Sequence, residues 1–230
     1  LKANSSFFKA MIKGGMKEAK SRSIDLDISK QTIEFQMKCL HEPPTKGINL
    51  PADNDLVFEL VSFSLSHGFD NLIKKLEPAV TQFIKVNRDA VLENGYAWVD
   101  LLKGNSDNST AAKWLTDLTP LILDNYDIPV KPSDDLPGLF EIPTEHLNTL
   151  FDVETSDLFK QLPIVLEIKG EDDLDRFLTT MQETKLEDSL PLKLLCRTEL
   201  ELEKEMGLQQ LAKASNIELN IEQRVIPPGT

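Results

Sequence analysis

Three histidines, two cysteines and several carboxylate runs are the residues here able to move protons, hold metals or attack carbonyls. His41, His67 and His146 fall on separate helices or their ends, and no His-Glu-x-x-His pattern, glycine-rich phosphate loop or nucleophile elbow occurs. Gly14-Gly15 follows a helical pattern instead of introducing one, so it reads as a helix stop and not a phosphate cradle. Glu171-Asp172-Asp173 with Asp175, and Glu199, Glu201, Glu203 and Glu205, lack the calcium-loop spacing with its central glycine. Solvated faces are expected there, and the first run suits a helix N-terminus. Cys39 and Cys196 match no metal or redox spacing and sit among apolar residues, as buried reduced thiols do. Trp98 and Trp114, at helical spacing among aliphatics, read as core. The expectation is a chain with no enzymatic site, no metal and no cofactor.

Composition narrows the partners. Over 230 residues, 25 basic and 38 acidic side chains leave a net charge of −13, which repels phosphate backbones and argues against nucleic acid. The one basic-leaning stretch (Lys9, Lys13, Lys17, Lys20, Arg22) is broken by Glu18 and lacks stacking aromatics, so a solvated helix face and turn is favoured over an anion site. No apolar run approaches a membrane span and no signal peptide is present, so a cytoplasmic protein without membrane contact is expected. Asn4-Ser5-Ser6 and Asn108-Ser109-Thr110 are read as chance glycosylation matches. The start at Leu1, directly before a helix, reads as a fragment or a processed chain.

The elements that position these residues follow from spacing. Phe7, Phe8, Met11 and Ile12 form a helix capped by Asn4-Ser5-Ser6 and stopped by Gly14-Gly15 in a left-handed cap. Ser23 to Asp27 alternates as a strand, and Ser29 opens a helix with Ile33, Met37 and Leu40 as its buried stripe, ended by Pro43-Pro44. Ile48 to Leu50 reads as a short edge strand. Paired helices follow, Asp55 to Ser66 and Asp70 to Ile84, with Pro78 a candidate kink or break. One helix then carries Val91, Trp98, Val99 and Leu102, and another carries Trp114, Leu115 and Leu118. Residues 128–143 hold four prolines and read as a linker. Beyond it come short helices near 146–151 and 156–161, a strand at 163–169, a helix at 172–181, two helices over 192–214 broken at Gly207, and a strand at 217–221. Gly68-Phe69-Asp70-Asn71-Leu72 echoes Gly207-Leu208-Gln209-Gln210-Leu211, for which a generic glycine-capped corner outweighs a true repeat.

Phe8-Lys9-Ala10-Met11-Ile12, then Gly14-Gly15-Met16-Lys17-Glu18-Ala19, resembles the BTB/POZ pattern of Phe-Arg-Ala-Met-Phe followed by Gly-Gly-Met-x-Glu-Ser. Ile24 to Ser29 resembles the strand-to-helix passage that follows it, and Phe58 to Leu72 resembles the family's closing helix pair. The resemblance covers residues 1–85, as a BTB/POZ-like domain lacking its first strand and helix. Residues 86–127 are then a helical extension, 128–143 a linker and 144–230 an unassigned α+β region. The fold class expected is α+β, predominantly α-helical, with a smaller α/β C-terminal region.

The resemblance implies a protein-interaction module, an adaptor or scaffold that recruits a cullin ubiquitin ligase together with a ubiquitination substrate. In cullin-binding members a hydrophobic-x-acidic triplet follows the double glycine, and Met16-Lys17-Glu18 holds that position here. Met16 would insert into a groove while Glu18 accepts hydrogen bonds. The family's cullin-touching aromatic corresponds to His41, a departure that counts against the ligase role. The partner-binding candidates are therefore Met16, Glu18 and His41. The elements that carry the family's dimer interface lie upstream of Leu1, which leaves homo-oligomerisation open. Two alternatives stand: a BTB-like dimerisation or partner-binding protein with no ubiquitin role, and an enzyme with its site in 144–230.

Overall fold

The computed structural model describes residues 5–14, 26, 28–41, 47–150, 152, 156–183, 193–196, 206–210, 213 and 218–221. It is predominantly helical with one small mixed sheet, an α+β arrangement. Two compact units divide it, Leu1–Leu118 and Thr119–Thr230.

The first unit is all helix among its described residues. Ser5 caps α1 (Ser6–Lys13) by accepting the Phe8 N–H, which satisfies one of the orphan donors of the first turn. The helix closes at Gly14 as expected, with φ −71; a left-handed cap would fall one residue on, at Gly15, which lies outside the described residues. The strand expected over Ser23 to Asp27 falls outside the described residues except for Leu26. α2 (Lys30–His41) begins after Ser29 as expected, but the stripe it buries is Thr32, Gln36 and Cys39. Ile33, Met37 and Leu40 are only half-buried. Apolar periodicity picked the neighbouring face of the same helix, because the seam against α3 is set by polar bonds from Thr32. Residues 48–50 form no strand, as no strand pairs with them among the described residues.

α3 (Asn54–Ser66) and α4 (Asp70–Val86) form the expected pair, burying Leu56, Val57, Leu60 and Val61 on the first and Leu72, Ile73, Leu76, Val80, Phe83 and Ile84 on the second. Asp53 caps α3 by accepting the N–H groups of Asp55 and Leu56 at 3.0 and 3.2 Å. Pro78 lies inside α4 and does not split it into two elements. The helix expected around Trp98 is two, α5 (Arg88–Glu93) and α6 (Gly95–Gly104), broken at Asn94-Gly95 where glycine lowers helix propensity. α7 (Ser109–Asn125) follows, and the unit boundary after Leu118 falls within it. Trp98 and Trp114 are fully buried, as are Leu60, Leu72, Ile73, Leu76 and Ile84, and together they form the core of this unit.

The second unit is built on five strands in chain order: β1 (Lys131–Pro132), β2 (Phe140–Pro143), β3 (Ile164–Ile168), β4 (Lys193–Cys196) and β5 (Glu218–Ile221). β1 pairs antiparallel with β2, so the proline-rich stretch 128–143 read as a linker carries the first hairpin of the sheet. β2 to β5 are parallel and sequential, offset by 24 (Phe140 to Ile164), 28 (Val165 to Lys193) and 25 (Lys193 to Glu218) residues. Each step is one strand plus a helical return, the layout of a solenoid-like array. α8 (Leu147–Leu150), α9 (Ser156–Phe159) and α10 (Glu171–Glu183) supply returns, the first preceded by a 3-10 turn at Thr144–His146. β4 corrects the expectation of a helix from Leu192. Lys193 to Cys196 pairs in register with Val165 to Ile168, and a four-residue apolar run is read correctly only once its neighbours are known. Residues 206–210 are helical, with Gly207 inside that segment, so the echo of Gly68 is not a repeated corner.

Within the sheet, Ile142, Leu166, Leu194 and Leu219 share one rung. The first three are at most 1% exposed, while Leu219 on the edge strand is half-buried. β3 is buried on both faces, Glu167 included, as parallel strands usually are.

Candidate protein-interaction site

The site candidates depend on where α1 ends and where α2 ends. α1 is clamped at its N-terminus to the corner between α3 and α4. Ser5 Oγ donates to the His67 carbonyl, and the Ser6 N–H donates to the Gly68 carbonyl at 3.2 Å. Gly68 has φ +61, the left-handed region that favours glycine, and a Cβ there would collide with Ser6 Oγ. Phe8 and Met11, the inward residues of α1, are 0% and 5% exposed.

His67 is the hub of this corner. Its ring stacks on Phe63 at 4.1 Å and on Phe8 at 5.8 Å, and meets the edge of Phe7 at 4.8 Å. Its Nδ1 donates to the Phe63 carbonyl at 3.0 Å, which also accepts the His67 N–H at 3.1 Å, closing the α3 C-terminus. Phe69, fully buried, extends the aromatic cluster toward Phe8 and Phe63. Offset and edge-on aromatic pairs add about 0.5–1.5 kcal/mol each beyond burial, so this end of α1 is held by polar and aromatic contacts together.

The second anchor is the start of α2. Glu59 on α3 accepts from the Ser29 N–H at 2.8 Å, from Ser29 Oγ at 2.6 Å and from Thr32 Oγ1. Desolvation pushes the Glu59 carboxyl up, but the bonds from Ser29 and Thr32 outweigh it and hold it below the ordinary carboxylate range. At the far end of α2, Lys75 Nζ on α4 approaches the Cys39 carbonyl at 3.5 Å, favourably placed against the negative helix end. His41, the last residue of the helix, is exposed. Of the three partner-binding candidates only His41 is described; Met16 and Glu18 lie outside the described residues. The signal that spacing missed is polar: Ser5, Ser6, His67 and Gly68 show no periodicity, yet they fix the helix that leads to Met16.

Elsewhere several charged groups are held by neighbouring side chains. Glu77 on α4 accepts from Lys113 and Thr110 of α7; the Lys113 hydrogen bond is the main cause of its lowered pKa. In the second unit Glu141 accepts from Ser133 Oγ at 2.8 Å, and Lys169 pairs with Glu167 at 2.8 Å, a bond that raises the lysine pKa. Asp173 accepts from Thr144 Oγ1 at 2.7 Å and from the Lys169 N–H at 3.0 Å, which ties the ends of β2 and β3 to α10. His146 is half-buried beside that turn. Among the described residues no group of three or more histidine, cysteine or acidic side chains is placed to hold a metal ion, and no helix is long and apolar enough to cross a membrane. Both cysteines are buried and unbridged.

Comparison with family models, with curated proteins and with solved structures returns no match.

Proposed function

We propose that this chain is a protein-interaction module of the BTB/POZ kind, an adaptor that recruits a cullin scaffold through Met16, Glu18 and His41. The observation that carries the reading is the clamped α1. A helix of eight residues, pinned by Ser5 and Ser6 to the His67-Gly68 corner, delivers the Gly-Gly-Met-x-Glu segment from a rigid support. An interaction element gains affinity when its support is ordered before binding, because less conformational entropy is lost. The exposed end of α2 at His41, braced by Lys75, supports the same reading.

The net charge of −13 supports a protein partner rather than a nucleic acid. The enzyme alternative for residues 144–230 needs convergent titratable groups. In that region Asp173 instead holds the turn ends by accepting from Thr144 Oγ1 and from the Lys169 N–H.

The test is a binding titration with a cullin N-terminal domain, comparing the parent chain with a Met16→Ala/Glu18→Ala double variant and with His41→Ala. The double variant is expected to lose at least tenfold in affinity. Binding indifferent to Met16 and Glu18 refutes the triplet, and a parent chain that binds no cullin turns the reading to partner binding without a ubiquitin role.

A further inference from the structure

We propose that Asn94 is a site of spontaneous covalent modification, where the native chain closes a succinimide with Gly95 and reopens it to aspartate or isoaspartate. Asparagine is among the chemically labile residues, and the fold decides which one is open to reaction. Asn94 stands between α5 and α6, exposed and outside both helices, with φ −113 and ψ 24. Its carboxamide makes no capping bond to α6. The asparagines at the neighbouring helix junctions are tied. Asn87 Nδ2 donates to the Phe83 carbonyl at 3.2 Å, and Asn105 Nδ2 donates to the Leu101 carbonyl at 2.8 Å. Asn108 Oδ1 accepts the N–H groups of Thr110 and Ala111 at 3.0 and 3.3 Å. A carboxamide held in this way must first give up its bonds before its carbon can face the following nitrogen. That of Asn94 has no such bond to lose.

The next residue completes the site. Gly95 has no Cβ to hinder approach, and as the first residue of α6 its N–H has no acceptor within that helix. When this amide loses its proton to hydroxide, its nitrogen bonds to Asn94 Cγ. The Cγ–Nδ2 bond then breaks, and ammonia leaves with a proton taken from water. A second water opens the five-membered ring at one carbonyl or the other, giving aspartate or isoaspartate with no change of oxidation state. Closure requires Asn94 to turn away from ψ 24, where the Gly95 nitrogen lies on the side opposite Cβ. That turn gives up one backbone bond, from the Trp98 N–H to the Asn94 carbonyl at 3.1 Å. Bonds at helix ends open far more readily than the whole chain unfolds. Isoaspartate adds a methylene to the backbone between Val91 and Trp98, both fully buried, so the product loosens the joint in which it forms.

The experiment incubates the whole chain at mildly alkaline pH, once native and once unfolded in urea. Peptide mapping follows each asparagine, and an isoaspartate-specific methyltransferase reads the isomerised product. Native Asn94 is expected to convert at least tenfold faster than Asn105 and Asn108, each of which precedes a serine. An Asn-Gly pair reacts readily in any unfolded chain, so the ratio of native to urea rate isolates what the fold contributes. That ratio is expected to be higher at Asn94 than at Asn105 and Asn108. A Cβ at Gly95 has nothing within 4 Å, so Gly95→Ala fits the fold and is expected to slow native conversion at least tenfold. Native Asn94 no faster than Asn105, or a native-to-urea ratio no higher at Asn94 than at Asn105 and Asn108, overturns the proposal. So does a Gly95→Ala chain that converts at the parent rate.

Discussion

Glu59 gives the sharpest test of how the first unit is held together. Replacing it with alanine removes three hydrogen bonds that tie the start of α2 to α3. The two from Ser29 are solvent-exposed and contribute about 0.5 kcal/mol each, while the one from fully buried Thr32 contributes about 1 kcal/mol, for a total near 2 kcal/mol. For a unit of this size that lowers the melting temperature by about 8 °C, at about 4 °C per kcal/mol. Urea denaturation of the parent, Glu59→Ala, Thr32→Val and the double variant isolates the buried bond, with an expected coupling of about 1 kcal/mol. The pH dependence supplies an independent check. Glu59 has a folded pKa below its ordinary 4.5, so its contribution is fully present above the unfolded value and is lost as pH falls through the folded one. The stability gap between parent and Glu59→Ala should therefore shrink on acidification. A gap that stays constant, or a coupling below about 0.3 kcal/mol, refutes the account of this latch.

Trp98→Phe should destabilise the first unit by about 2 kcal/mol, measured by chemical denaturation. The indole donates to Asn54 Oδ1 at 3.3 Å, and the buried Asn54 Nδ2 already lacks a partner. Glu77→Gln should flatten the stability curve of this unit below pH 5. The Glu77 pKa is lowered chiefly by Lys113, so the stabilisation it provides disappears as pH falls, and added salt should reduce the difference. Leu166→Ala, at a fully buried position on the central rung, should cost about 3 kcal/mol through the cavity it leaves, read as loss of exchange protection in β3. Cys39 and Cys196, both buried, should resist a thiol reagent in the native chain and react at a rate set by unfolding.

Much of the first unit was legible because long amphipathic helices announce themselves. The inner faces of α3 and α4 follow the apolar spacing residue by residue, and Trp98 and Trp114 are core as their surroundings predict. α2 shows the limit of that signal. Its apolar stripe, Ile33, Met37 and Leu40, is half-buried, while Thr32, Gln36 and Cys39 face inward. The choice of face was made by Glu59, a residue of another helix, and hydrophobicity alone carries no trace of such a bond. In the second unit β3, β5 and the helices α8 to α10 lie where spacing puts them, while it misses the hairpin within 128–143 and the strand β4. Leu162-Pro163-Ile164-x-Leu166 and Leu190-Pro191-Leu192-x-Leu194 repeat one pattern at the spacing by which β3 and β4 stack, so the signal was present. It was obscured because a strand of four or five apolar residues cannot be told from a buried helical turn by its own periodicity.

From its sequence alone this protein has its composition class, its helix pair with the glycine corner and its buried tryptophans. These are local properties, encoded in propensity and spacing within about 15 residues. Tertiary structure alone decided which face of α2 is buried, that residues 128–143 open a sheet, and that α1 rests on Gly68. Each depends on a partner distant in the chain: Glu59 lies 27 positions from Thr32, and Gly68 lies 62 from Ser6. Pairings over such separations are set by which buried polar groups find acceptors and how closely backbones approach. Neither quantity exists until the chain has folded.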